Sequence, residues 1–157
     1  NIASNLAFHR RIFSPHFVPF HGRALTFDIV SSVRTSFAPS ASLLSVVNAL
    51  VQVWDRPAVA FVAREKSKKG GSNSDMALRI APQSRNEHAV AAGLFLIPNM
   101  RVPRSSLAFE TFATGYPATG AERLRNWTTS DGKTLIDASA TVSAVRLGRI
   151  VYGIISL

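Results

Sequence analysis

Cysteine is absent from the 157 residues of this chain, which excludes disulfides and every site that depends on a thiolate. Acidic residues are scarce, with nine Asp and Glu, and the four His show no metal-ligand spacing. No run of about 20 apolar residues occurs, so we predict no membrane-spanning segment and no membrane partner. Because no clean apolar segment follows Arg10 and Arg11, no signal peptide is expected. We expect neither a metal ion nor a cofactor.

Signatures of catalysis are also lacking. There is no G-x-S-x-G sequence, and Gly132-Lys133-Thr134 is not a P-loop, because Trp127 stands where that motif requires glycine. Four carboxylates lie on or beside predicted strands, but no spacing pairs them for acid–base chemistry, and ion pairs with Arg are the expected use: Asp28, Asp55, Glu110 and Asp137. We therefore predict no catalytic residue and no enzyme activity.

Positive charge is the most prominent property of the chain. Eighteen Lys and Arg residues, most of them Arg, give a formal net charge of +9. The planar guanidinium group of Arg suits bidentate contact with phosphate. An excess of this size favours a polyanionic partner, and nucleic acid is the usual one.

Two basic groups are the candidate RNA-binding residues. The first lies among Phe residues in the N-terminal segment, and the second lies in the polar loop 65–75: Arg10, Arg11 and Arg23, and Lys66, Lys68 and Lys69. Basic residues interleaved with aromatic ones can follow a single-stranded backbone and stack on its bases. The alternatives are an arm that packs its Phe residues on the protein with its Arg in water, and a loop that is only a solvated tip.

The hydrophobic pattern predicts about eight short strands separated by loops that contain Pro and Gly. We assign strands to 24–35, 43–54, 58–64, 76–81, 88–97 and 107–112, and two more to 135–157 with a break near Gly148. Segment 43–54 also fits a helical period, and 121–127 fits one helical turn. Asp131-Gly132 predicts a tight hairpin turn with positive φ at Gly132. This spacing predicts an all-β fold, an antiparallel β-sandwich or a barrel.

A basic N-terminal arm (1–22) before a β domain of this size (23–157), with no cysteine and no catalytic signature, resembles the coat (capsid) proteins of small icosahedral positive-strand RNA plant viruses and satellite viruses. The resemblance implies a single jelly roll with an extended N-terminal arm. It also implies a structural protein that assembles with itself into an icosahedral shell, packages single-stranded RNA, and is found in the virion and, during assembly, in the host cytoplasm. The alternative is an RNA-binding β domain, such as a viral movement protein or a ribosome-associated protein.

Overall fold

A computed structural model describes residues 13–67, 76–129 and 131–157, which form one antiparallel sheet covered by helices on both faces. Its strands are β1 (Ala58–Lys66), β2 (Ala77–Arg85), β3 (Ala118–Arg123), β4 (Ser139–Leu147) and β5 (Ile150–Ser156), in the spatial order β2-β1-β5-β4-β3. The α-helices are α1 (Phe27–Phe37), α2 (Leu43–Val53), α3 (Glu87–Ala91) and α4 (Leu107–Thr114). Short 3-10 turns occupy Ser14–His16, Val18–Phe20 and Leu124–Asn126.

The predicted all-β sandwich is therefore wrong. Segments 24–35, 43–54 and 107–112, assigned to strands, hold the helices α1, α2 and α4, while 88–97 holds the end of α3 followed by irregular chain. In α2 the buried residues are Val46, Val47, Leu50 and Val51, which is a helical spacing. The Ser42 hydroxyl caps this helix by accepting from the Ser45 amide at 3.1 Å. Packing and capping thus outweigh the strand preference of the β-branched side chains.

The sheet separates two hydrophobic cores. The first lies under α4 and the loop after β3 and includes Trp127, Phe61 and Ile155. The second lies under α1 and α2 and includes Trp54 and Ile154. Because adjacent residues of β5 enter different cores, the central strands β1 and β5 are apolar on both faces, and each face needs a covering layer.

Gly153 in β5 lies directly opposite Phe61 in β1. The Phe61 ring covers the glycine so closely that a Cβ atom there would lie 2.0 Å from Phe61 Cζ. The same ring packs edge-to-face with Trp127, with 5.6 Å between ring centroids. Glycine is therefore required at this position by close packing in the middle of the sheet.

The buried side chain of Asn86 connects three parts of the fold. Its Oδ1 accepts from the Ala58 amide at 3.2 Å and from the Ala89 amide at 2.8 Å. Its Nδ2 donates to the Trp54 carbonyl at 3.2 Å and to the Arg56 carbonyl at 2.7 Å. These four bonds join the end of α2, the start of β1 and the first turn of α3.

Several sequence predictions are confirmed. The strand assigned to 58–64 lies in β1, 76–81 overlaps β2, and 135–157 contains β4 and β5 with Gly148 between them at φ 61°. Gly132 has the expected positive φ of 81°, but the hairpin is longer than a two-residue turn, because its bridging pair is Thr128 and Thr134. Leu124–Asn126 provides the helical turn expected within 121–127.

The described part of the N-terminal segment, 13–22, is not an extended arm. It forms two 3-10 turns, and Phe13 and Phe17 are 0% and 3% exposed in the second core. Phe17 lies 6.3 Å from Trp54 between ring centroids. Phe13 and Phe17 therefore pack on the protein, which agrees with the alternative interpretation of the N-terminal arm given above.

Candidate functional site

Three arginines are lateral neighbours at the outer edge of the sheet. Arg64 of β1 is the cross-strand partner of Arg79 of β2, and Arg79 forms an isolated antiparallel bridge with Arg101. Directly opposed residues of antiparallel strands have Cβ atoms about 4.5–5.5 Å apart, and like charges in such positions are destabilising. The positive charges at this edge therefore destabilise the fold unless an anion lies close to them.

Arg79 is the centre of this row and is only 6% exposed. Its Nε donates to the Lys66 carbonyl at 3.3 Å, and its Nη1 donates to the Asn99 carbonyl at 3.1 Å. Within 13–67, 76–129 and 131–157, no carboxylate forms an ion pair with Arg79. Carbonyl dipoles satisfy some of its donors, but no carboxylate among the described residues compensates its charge, and a buried charge is costly unless it is paired.

Asn99 helps to shape this environment through its backbone. It has a φ of 65°, which is uncommon for a residue other than glycine, although Asn adopts it more readily than most. Its amide donates to the Ile80 carbonyl at 2.9 Å while its own carbonyl accepts from Arg79. The tight turn at Asn99 thus brings the chain after Pro98 back against β2 and around the guanidinium group.

Arg79 lines a cleft of about 630 Å³, together with residues from several other segments of the chain. Its charged lining consists of three cations and one carboxylate: Lys66, Arg79, Lys133 and Asp131. The walls and the remaining lining come from Ser67, Ile97, Pro98, Asn99, Met100 and Thr129. Among the described residues the cleft therefore carries a net positive charge, with one buried cation, Arg79, and two exposed ammonium groups, Lys66 and Lys133.

The carboxylate of Asp131 is held at the side of the cleft. The Thr129 hydroxyl donates to Asp131, and Lys133 Nζ lies 3.5 Å from its carboxylate. The Thr129 hydrogen bond, the Asp131 backbone amide and the Lys133 charge lower the pKa of Asp131 from its ordinary value. Asp131 therefore stays ionised at neutral pH and partly offsets Lys133, but it does not reach an ion pair with Arg79.

The structure separates the candidate RNA-binding residues that it describes. Lys66 lies in the cleft at the end of β1, whereas Arg23 lies near the start of β1, where its carbonyl accepts from Trp54 Nε1 at 3.0 Å. Because β1 has nine residues, these two ends are roughly 26 Å apart at about 3.3 Å per residue. Arg10, Arg11, Lys68 and Lys69 lie outside the described residues.

Sequence reasoning did not single out Arg79, Arg101 or Lys133 as binding residues. Strand register brings Arg64, Arg79 and Arg101 together, and a hairpin from a distant part of the chain contributes Lys133. The one signal available in the sequence was an arginine between Leu78 and Ile80, where the predicted strand would bury at least one face.

A second polar cavity of about 230 Å³ lies at the opposite end of the sheet and contains His21, Asp55, Glu87 and His88 in its lining. The Asp55 carboxylate accepts from the Gly22 amide at 2.8 Å and therefore already has a structural partner. In the part of the chain that the structure describes, no group of three or more His, Asp or Glu residues is placed to hold a metal ion. None of the described Lys or Arg residues lines this cavity, so it lacks the positive charge of the cleft around Arg79.

Among the described helices, none is long and apolar enough to cross a membrane. No protein-family model matches this chain, and comparison with curated proteins gives no significant match. The interpretation of the basic cleft therefore depends on its own geometry and charge.

Proposed function

We propose that this domain binds single-stranded RNA, and that the cleft around Arg79 holds part of the phosphate backbone. The observation that carries the proposal is a nearly buried guanidinium group between Arg64 and Arg101 with no ion-pair partner among the described residues. A phosphate in the cleft would supply the negative charge that no described carboxylate gives to Arg79. Lys66 and Lys133 at the rim would contact the same backbone.

A polymeric anion fits this edge better than a single small anion does. The positive charge extends beyond the cleft to Arg64 and Arg101 on the exposed sides of the arginine row. Each additional phosphate contact releases counterions and adds to affinity. Contacts of this kind carry no base information, so we expect weak sequence preference and strong dependence on salt.

The test compares RNA affinity over a series of salt concentrations for the parent and for Lys66→Gln/Lys133→Gln. If both side chains contact phosphate, the salt slope becomes shallower by about 1.4, at about 0.7 per contact for single strands. The charge-matched control is Arg123→Gln/Arg125→Gln, because these side chains are 62% and 61% exposed beside Asp137 and outside the cleft. Asp131→Asn should strengthen binding, because it removes the carboxylate from the cleft lining.

Equal slopes for the cleft variant and the control would overturn the proposal, since net charge alone would then explain binding. A cleft that binds inorganic phosphate or a mononucleotide as tightly as it binds RNA would instead indicate a small-anion site.

Self-assembly into a shell and a virion location stay predictions. The layout on which the resemblance to coat proteins depended, a jelly-roll sandwich with an extended arm, is not the fold of the described residues. The RNA proposal depends only on the charge and geometry of the cleft.

A further inference from the structure

An exposed aromatic ring lies on the chain segment that leads into the basic cleft. Phe95 is 41% exposed, and the Arg85 guanidinium carbon lies 5.1 Å from its ring centroid. A guanidinium group in this position is attracted to the face of the ring and restrains it. Phe95 is therefore a large, partly exposed apolar side chain that contacts a cation.

Two further exposed apolar side chains lie near Phe95 in the sequence. Val90 is 47% exposed and Ile97 is 37% exposed, so three large apolar side chains of a short segment are in contact with water. Ile97 lines the cleft at Arg79, while the neighbouring Leu96 lines a further cavity of about 370 Å³ that also includes Arg85. Segment 95–97 thus contributes to the lining of both the cleft around Arg79 and a neighbouring cavity that contains a cation.

Both sites lie along β2. Arg79 and Arg85 belong to this strand, about 20 Å apart at a rise of about 3.3 Å per residue. A bulge between them places the two side chains on opposite faces of the sheet, because Arg79 lies opposite Arg64 whereas Arg85 lies opposite Val59. A strand of RNA that leaves the cleft at Arg79 therefore has to pass around the edge of the sheet, along Ile97 and Phe95, to reach Arg85. The alternation of cations and an exposed aromatic ring is the arrangement that binds single-stranded nucleic acid without sequence preference.

We infer that Phe95, restrained by Arg85, is a stacking platform for an unpaired base of the RNA whose phosphates occupy the Arg79 cleft. This inference rests on the proposed function and adds a subsite that recognises bases as well as charge. The cations at both ends of segment 95–97 favour an anionic polymer with flat apolar groups over a neutral protein surface as the occupant.

The experiment measures the affinity of Phe95→Ala for two ligands, an oligouridylate of about 10 nucleotides and inorganic polyphosphate, which has phosphates but no bases. Loss of one stacked base should weaken oligouridylate binding roughly 5- to 100-fold and leave polyphosphate binding unchanged. Phe95→Trp should retain RNA affinity, and Phe95→Leu should lose it although it keeps apolar volume. Because Phe95 is exposed, the urea unfolding midpoints of these variants should remain close to that of the parent.

The two proposals fail in different ways. If Lys66→Gln/Lys133→Gln weakens both ligands but Phe95→Ala weakens neither, the cleft stands, the stacking platform is refuted, and the apolar patch is left to a protein partner. If Phe95→Ala weakens both ligands, or if Phe95→Leu binds RNA like the parent, stacking is also refuted. If the cleft variant binds both ligands as the control does, the proposed function itself fails.

Discussion

Gly153→Ala tests the closest packing in the sheet. An added Cβ would lie 2.0, 2.4 and 2.6 Å from Phe61 Cζ, Cε1 and Cε2, whereas carbon atoms make favourable contact at about 3.5–4.0 Å. The Phe61 ring would have to retreat by about 1.5 Å to reach that separation. It has little room to do so, because it is 1% exposed and packs against Trp127, which is 0% exposed.

The expected magnitude follows from two opposing contributions. Overpacking in a filled core destabilises by about 1–3 kcal/mol. Replacement of Gly by Ala also restricts the unfolded chain, which returns about 0.4–1 kcal/mol where the backbone is compatible. Because the clash involves the body of a trapped ring, we expect Gly153→Ala to lower the free energy of unfolding by about 2 kcal/mol. For a chain of this length the melting temperature should fall by about 4–8 °C.

Urea unfolding of the parent, Gly153→Ala, Phe61→Leu and the double variant measures the coupling between the two positions. With the ring replaced by Leu, the added methyl group should cost much less, and the coupling free energy should lie between about 0.5 and 3 kcal/mol. Gly120→Ala is a matched control in edge strand β3, where the new Cβ meets only the tip of Leu107 at 3.0 Å. A Gly153→Ala penalty that stays the same after Phe61→Leu would refute the reasoning.

Two further predictions concern stability. Asn86→Ala removes four hydrogen bonds, each worth about 1 kcal/mol, and leaves buried backbone groups unpaired. The free energy of unfolding, measured by urea titration, should therefore fall by about 3–4 kcal/mol. A fall of less than about 1 kcal/mol would contradict this role of Asn86. Gly132→Val should destabilise the protein by about 1 kcal/mol or more, because φ at this position is +81°. The space around the new Cβ is open, so the expected loss comes from the backbone conformation alone. Gly132→Asn, which tolerates this φ better, should melt closer to the parent, and identical melting of the Val variant and the parent would show that the turn imposes no such constraint.

The sequence allowed prediction of the strands that pair through local turns. The β4–β5 hairpin could be predicted because Gly148 separates two runs rich in β-branched residues. The strands β1 and β2 were readable because short apolar runs flank a polar loop. In these segments the structure that the local sequence pattern predicts is the one that the folded protein adopts.

A helical period was noted for α2 as an alternative to a strand, but α1 and α4 were missed because their short segments show an apparent alternation. In α4 the apparent alternation over 107–112 hid two local signals: Ser106 at the N-cap, whose hydroxyl accepts from the Ala108 amide, and Gly115 at the C-cap with φ 80°. Together these residues delimit a helix of eight residues. In α4 the capping residues therefore indicate the helix more clearly than the hydrophobic pattern does.

The candidate site was predictable only in part. Lys66 was visible as a member of a basic loop, but Arg79 acquires its significance from burial and from its two arginine neighbours across the strands. Those neighbours depend on register, which the sequence specifies through many packing contacts and no local motif. The same holds for Lys133, which reaches the cleft on a hairpin far along the chain.

The position of β5 has a consequence for synthesis on the ribosome. This strand lies between β1 and β4, and Ala58 at the start of β1 pairs with Ser156 at the end of β5. The nascent β1–β2 hairpin must therefore leave the backbone groups on one edge of β1 unpaired until β5 has been translated, and such edges invite pairing with other chains. Pairing over so long a sequence separation also slows folding. Yield in a heterologous host should accordingly depend on temperature and on chaperone supply more strongly than the stability of the finished fold would suggest.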